Sequence, residues 1–317
     1  MFGLKADWSL DVHERYFTIG DYAGGEARWC PGCGDHAILT VLQRICRDEQ
    51  LPPEMSVMVS GIGCSSRFPH YMGTYGFHGL HGRALPLACG VKARRPELDV
   101  WVATGDGDCF SIGTAHWIHA VRYNMDMVVT VFDNGVYALT KKQTSPTSPF
   151  GYKSNTHPRG ALLPPLNPLT VTLGITNASF VAQTIDWNPV HLHATLSAAH
   201  KHKGLSFVRI LQRCPVFSPG FMKDPQNDPS QILLLNHEQG ISIDKNAQRI
   251  FPNKRKHDPA DLSSARDIAA ETSPIPIGLL YHNPDAICYD ELSSQGVDMT
   301  VADKLTALNS VFDRLAV

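Results

Sequence analysis

Residues 100–140 read VWVATGDGDCFSIGTAHWIHAVRYNMDMVVTVFDNGVYALT. Two short apolar runs, 100–104 and 128–132, enclose a stretch patterned as a helix. The first run ends in Gly105-Asp106-Gly107-Asp108 and the second in Asp133-Asn134-Gly135. β-branched runs of this length alternating with helical segments argue for strand, helix, strand in a parallel sheet, with a right-handed crossover. The fold class is therefore α/β, a parallel sheet flanked by helices. Asp106 and Asn134 are then expected at the carboxyl ends of neighbouring strands.

That edge is where open α/β sheets bind ligands. A hard cation such as Mg2+ takes oxygen ligands, commonly one or two protein groups with phosphate oxygens and water. Asp106 offers a carboxylate and Asn134 an amide oxygen. The glycines beside Asp106 let the backbone approach a phosphate, and a helix beginning near Asp108 turns its free N–H groups toward the same anion. The competing reading of Gly105-Asp106-Gly107 is an ordinary tight turn; the Asn134 that follows 28 residues later favours a metal-diphosphate cradle.

Composition bounds the rest. A chain of 317 residues with 43% apolar content holds one large or two modest domains with an ample core. A net charge of -2 gives no reason to expect nucleic acid. No apolar run reaches the roughly 18 residues that span a bilayer. The first thirty residues carry Lys5, Asp7, Asp11, Glu14 and Arg15 and no signal-peptide core, so no membrane attachment and a cytoplasmic location are expected. Eight cysteines in such a chain suit metal ligation or burial better than a disulfide framework.

Residues 1–28 have weak periodicity and read as an irregular N-terminal arm, open to packing on a partner. Trp29-Cys30-Pro31-Gly32-Cys33-Gly34-Asp35-His36 follows, then an amphipathic helix with Ile38, Leu42 and Ile45 on one face. A C-x-x-C pair holds a metal centre or forms a redox dithiol. A strand-like run, 55–60, leads to Gly61-Ile62-Gly63-Cys64-Ser65-Ser66-Arg67, and another, 206–211, leads to Cys214. Zinc ribbons draw on two close pairs, so this scattered set fits an iron-sulfur cluster among loops better than a zinc knuckle. Cys46, Cys89 and Cys109 read as buried, structural thiols; Cys288 carries no signal.

Gly105-Asp106-Gly107 with Asn134 resembles the signature of thiamine-diphosphate enzymes. There the Asp, the Asn and the carbonyl two residues further on hold Mg2+ against the cofactor; the matching positions are Asp106, Asn134 and Val136. One departure is Asp133, where the family carries a first Asn. WCPGCGDH, GIGCSSRFPHYMGTYGFHGLHGRALPLACGVK, ATGDGD, DNGVYALTKKQTSPT and Cys214 together resemble the β subunit of 2-oxoacid:ferredoxin oxidoreductases over about residues 15–220. The resemblance implies a diphosphate-half thiamine fold and a 4Fe-4S cluster on Cys30, Cys33, Cys64 and Cys214. It places Cys64, Ser65, His81, Gly82, Gly105, Asp106, Gly107, Asp108, Asn134, Val136, Leu139 and Thr140 along the cofactor, with Leu139 propping its bent shape. Arg67, His81 and Arg83 fall near the reacting centre. An arginine there could grip a carboxylate bidentately, though a structural ion pair for Arg67 and a solvated helix start for 81–83 stand beside that reading. Lys141 reads as solvated, with contact to substrate or partner as the other option.

The implied activity is thiamine-dependent oxidative decarboxylation of a 2-oxoacid, best matched to 2-oxoglutarate, to acyl-CoA and CO2, with electrons passing to ferredoxin. Coenzyme A is then a co-substrate. The glutamate that activates thiamine has no room upstream and is expected from an α subunit in an αβ or (αβ)2 assembly. Pyruvate or a branched 2-oxoacid as substrate, a non-oxidative thiamine decarboxylase, an electron-transfer subunit and a zinc-stabilised binding module are the alternatives.

In the remaining chain, 148–168 reads as a long loop, 169–175 as helix by resemblance, 180–185 as strand, 191–202 as helix and 206–211 as the last strand of the core. His191, His193, His200 and His202 are expected on the surface. The domain boundaries follow: a thiamine and iron-sulfur domain over 29–221 and an extension over 222–317, packing on the core or a partner. Within the extension, 240–251 is expected as a hairpin, 260–271 as helix, and 300–315 as helix with Val301, Leu305, Leu308, Phe312 and Leu315 on one stripe.

Overall fold

The computed structural model describes residues 16–294 and 300–315. Along the chain run α1 (Asp35–Asp48), β1 (Ser56–Ser60), β2 (Tyr75–His78), α2 (Ala84–Arg94), β3 (Asp99–Gly105), α3 (Thr114–Tyr123) and β4 (Met127–Asp133). Then come α4 (Pro168–Gly174), β5 (Phe180–Ile185), α5 (Pro189–Lys201) and β6 (Leu205–Leu211). The last part holds α6 (Lys223–Asn227), β7 (Ile232–Asn236), α7 (Lys245–Gln248), β8 (Asn253–Lys256), α8 (Leu262–Ala270), β9 (Ile275–His282), α9 (Tyr289–Ser294) and α10 (Val301–Leu315). Among the described residues nine strands form one sheet in the order β2-β1-β3-β4-β6-β5-β9-β7-β8. β1 to β6 pair in parallel.

Strand alternation sorts the core onto two faces. Trp101 and Ala103 of β3 join α1 (Ile38, Leu42, Ile45) and α5 (Leu192, Leu196) on one side. Val100 and Val102 join α2 (Leu85, Ala88) and α3 (Trp117, Val121) on the other. This doubly covered parallel sheet is the expected architecture. Each such side chain contributes roughly 1.5–3 kcal/mol on burial, which outweighs the weak intrinsic preferences of the segments. Local signals set the helix starts: Asn167 caps α4 through Leu169 N and Thr170 N, and Asn188 caps α5 through His191 N, each with Pro at the first helical position.

Several expectations change. In the N-terminal segment the described residues from 16 onward dock on their own body: Phe17 and Tyr22 are buried, and Ala23 bridges to Met72; residues 1–15 lie outside the described residues. His191 and His202 are buried, not on the surface. They take the inner face of α5 and its end, where Thr184 Oγ1 meets His191 Nδ1 at 2.7 Å and Ser179 Oγ meets His202 Nε2 at 2.8 Å. Residues 240–251 form no hairpin; they hold the short α7 ahead of β8, which pairs in parallel with β7. β7–β9 extend the same sheet, with β9 antiparallel to β5. α10 forms as read, but its stripe from Val301 to Leu315 is exposed. No helix among the described residues is long and apolar enough to cross a membrane.

Candidate active site

β1, β3, β4 and β6 end at a cavity of about 320 Å³. β3 and β4 are neighbours in parallel register, Gly105 level with Phe132, so Asp106 comes beside Asp133 and Asn134 follows at the next step. The helix begins at once after Gly105, and residues Asp108–Ile112 make a π-helical turn before α3, a distortion that gathers at functional sites. Asp106, Asn134 and Val136 all line the cavity.

Asp106 is buried and its Oδ2 accepts from Ser145 Oγ at 2.5 Å and Thr147 Oγ1 at 2.8 Å. Thr147 Oγ1 also stands 2.7 Å from Asp133 Oδ1. One hydroxyl has one proton, so two carboxylates compete for it. Burial first, and then the Asp133 charge, holds the Asp106 carboxyl well above the usual carboxylate range. Asp133 has its own counter-charge in Arg209, whose Nε donates at 2.7 Å. A cation beside Asp106 would relieve the remaining excess of negative charge, and the oxygens of Asp106 and Asn134 are hard donors that could hold one. Asn134 presents a second oxygen: its Oδ1 accepts from Val136 N at 3.2 Å, and its Nδ2 donates to Gln212 Oε1 at 2.8 Å. Gly135 between them has φ +66°, which glycine adopts without strain.

Gly107 serves a purpose beyond ligand approach. A Cβ there would fall on the Tyr137 ring, whose hydroxyl donates to Gly107 O at 2.9 Å. Asp108 also lines the cavity, but its carboxylate is taken by the chain. It accepts from Ile62 N (3.1 Å), Gly82 N (2.7 Å) and Thr104 Oγ1 (2.7 Å) and lies 2.5 Å from His81 Nδ1. His81 is thereby oriented on the cavity wall with Cys64, Ser65, Gly105, Leu139 and Thr140. Leu139 keeps 45% of its surface exposed there, an apolar side chain open to a ligand. Arg67 and Arg83 do not line the cavity: Arg67 lies over the Tyr71 ring, and Arg83 donates to the carbonyls of Gly82 and Ile112.

The cysteine-bearing loops are tied together by backbone and side chain. Cys33 N donates to Cys30 O at 3.1 Å, Gly34 N to Arg213 O at 3.2 Å, and Trp29 Nε1 to Cys64 O at 2.7 Å. Cys214 is buried, Cys33 and Cys64 are half-buried, and Cys30 is exposed. Burial pushes the Cys64 thiol up to about 12, and nearby Asp35, Cys214 and Cys30 add to the shift. Cys33 is raised too, by burial and then by Asp35, with smaller effects from Cys64 and Cys214. Among the described residues, however, no three His, Cys, Asp or Glu side chains are grouped as the shell of a single metal ion.

Four residues escaped the sequence reading. Ser145 and Thr147 sit in the segment set along the cofactor, but hydroxyls give no pattern of their own. Asp35 lies beside the C-x-x-C pair, where the cysteines carry the signal. In the structure it is buried on the cavity wall with neither oxygen in a well-directed hydrogen bond; burial raises its pKa to about 7, with the Cys33 thiol pulling the other way. Gln212 gave no signal except its place two residues before Cys214.

Residues 61–210 match the family model "Thiamine pyrophosphate enzyme, C-terminal TPP binding domain". The chain is 38% identical over 276 residues to the 2-oxoglutarate oxidoreductase subunit KorB of Mycobacterium tuberculosis, covering 87% of this chain and 74% of that one. It is 35% identical over 267 residues to the 2-oxoacid:ferredoxin oxidoreductase 1 subunit beta of Aeropyrum pernix, covering 84% and 81%. Among solved structures, the 2-oxoglutarate:ferredoxin oxidoreductase of Magnetococcus marinus, with 2-oxoglutarate, coenzyme A and succinyl-CoA bound, superposes with a TM-score of 0.75 at 33% identity over 92% of this chain and 96% of that one. On the strength of these relatives, the chain belongs to the family of 2-oxoacid:ferredoxin oxidoreductase β subunits.

Proposed function

We propose that this chain carries the thiamine diphosphate and a 4Fe-4S cluster of a 2-oxoglutarate:ferredoxin oxidoreductase that converts 2-oxoglutarate and coenzyme A to succinyl-CoA and CO2. The observation that carries the reading is the meeting of Asp106 and Asn134 at adjacent strand ends on a cavity that also exposes Cys64. The choice of 2-oxoglutarate rests on the names of the Mycobacterium and Magnetococcus relatives.

Asp106, Asn134 and the carbonyl of Val136 would hold Mg2+ against the diphosphate, with Thr140 beside it and Leu139 under the rings. Cys30, Cys33, Cys64 and Cys214 would hold the cluster; a multi-iron centre sets its thiolates farther apart than the shell of one ion, which suits loops that are tied together without closing on a point. Bound, these groups supply an electron sink for loss of CO2 and a one-electron exit toward ferredoxin. The chain's own work is placement. Asp108 occupies Nδ1 of His81, so Nε2 is the nitrogen left to hold a proton or meet a substrate oxygen. The apolar rim at Leu139 and Val136 excludes water and strengthens charge interactions inside the cavity.

An α subunit would complete the site with the activating glutamate and contacts to coenzyme A. Co-purified α and β chains should contain iron and acid-labile sulfide and reduce ferredoxin with 2-oxoglutarate and coenzyme A, faster than with pyruvate or branched 2-oxoacids. The β chain by itself should give no turnover. Full-rate turnover by the lone chain would refute the shared site, and a colourless protein holding only zinc would refute the cluster.

A further inference from the structure

We infer that Gln212 is a positioning residue that couples the magnesium end of the site to the sulfur end, orienting the Asn134 amide with its carbonyl and polarising the Cys33 sulfur with its N–H. This rests on the function proposed above. β6 lies beside β4, with Leu211 level with Asp133, so the next residues, Gln212 and Asn134, leave the sheet side by side. Gln212 N still donates to Asp133 O at 2.9 Å, and the side chain is buried on the cavity wall.

Every polar atom of that side chain has a partner. Oε1 accepts from Asn134 Nδ2 at 2.8 Å; Nε2 donates to Arg213 O at 2.6 Å and to Cys33 Sγ at 3.2 Å. Turning the amide over would set Oε1 against a carbonyl oxygen and Nε2 against an amide nitrogen, so its direction is determined. Asn134 is determined in turn, because Val136 N donates to its Oδ1. The result is one directed chain: Val136 N–H to Asn134, Asn134 N–H to Gln212, Gln212 N–H to Cys33. Bonds in series polarise one another in a buried setting. At one end the chain keeps Asn134 Oδ1, not Nδ2, at the cation position. At the other it places a hydrogen-bond donor on a sulfur, and such donors tune the potential of a thiolate-bound cluster. Donation stabilises the more electron-rich reduced state, so its loss should make the cluster harder to reduce.

The test uses the αβ complex with two variants, Gln212→Met and Gln212→Glu. The readouts are the cluster midpoint potential, followed by electron paramagnetic resonance, and the Mg2+ affinity in the presence of thiamine diphosphate, followed by calorimetry. Gln212→Met removes both bonds: the potential should move to more negative values and Mg2+ affinity should fall about 10–100-fold, the usual effect of losing an outer-shell partner. Gln212→Glu keeps the acceptor for Asn134 and loses the donor, so the potential should fall with no loss of Mg2+ affinity. If Gln212→Met fails to assemble, the Glu variant decides by the same split. Wild-type values in either variant for the potential, or movement of only one quantity in Gln212→Met, overturn the coupling. A wild-type complex that holds no cluster or no thiamine diphosphate overturns the underlying function instead.

Discussion

Asp106 shows how a functional group is maintained against its own cost. A buried carboxylate that shares a hydroxyl proton with Asp133 is disfavoured as an anion. Asp106→Asn keeps the volume and an acceptor for Ser145 and Thr147 while removing the charge. The variant chain should therefore unfold at the same or a higher temperature than wild type when free of ligands. Its Mg2+-dependent affinity for thiamine diphosphate should drop by more than the roughly 10–100-fold seen when only an outer-shell partner is lost. Calorimetry and thermal unfolding on the same preparation test both halves, and unchanged affinity would remove Asp106 from the cation site. Gly34 answers a different need: a Cβ there would strike the Asp186 carboxylate, so the C-x-x-C loop reaches Arg213 only because this position is bare.

At the level of elements, the pairing of β4 with β6 explains the one departure from the thiamine signature. Where the family resembled carries Asn, this chain has Asp133, fully buried, and β6 supplies Arg209, level with Val131, whose Nη2 reaches Asp133 Oδ2 at 2.6 Å. Arg209 also donates to Gln183 Oε1 of β5, so one cation ties three strands. Removing one member of a buried pair leaves an uncompensated charge and costs about 3–5 kcal/mol. Arg209→Met should lower stability by that amount in urea unfolding, and adding Asp133→Asn should restore much of it, since neighbours in contact are not additive. Additive losses in the double variant would separate the two residues.

For the whole molecule, buried imidazoles set an acid limit. His191 is held down to about 3 and His202 to about 4, in both cases by burial first, with His237 and His282 adding respectively. An unfolded histidine titrates near pH 6.5. Folded-state values below that mean the unfolded chain binds protons that the native one refuses, so stability present above pH 6.5 is lost as pH falls toward 4. Between pH 7 and 5 each of these two should contribute a loss of about 2 kcal/mol. Urea unfolding of the purified chain across that range measures the slope, and His191→Leu should reduce it. An identical slope in the variant would place the acid sensitivity elsewhere.

The sequence by itself determined the parallel α/β core and the meeting of Asp106 with Asn134, because both follow from local periodicity and a strand-helix-strand unit whose handedness chain chirality settles. It also singled out Cys30, Cys33, Cys64 and Cys214, whose loops hydrogen-bond to one another in the structure. Only the tertiary structure decided that Gln212 lies between Asn134 and Cys33, that Asp35 is a buried acid on the cavity wall, and that His191 and His202 point inward. It alone placed β9 antiparallel to β5, joining the C-terminal strands to the sheet. Polar side chains such as Gln and His have no periodic signature, and their environment depends on which strands become neighbours, a long-range pairing that no local pattern encodes.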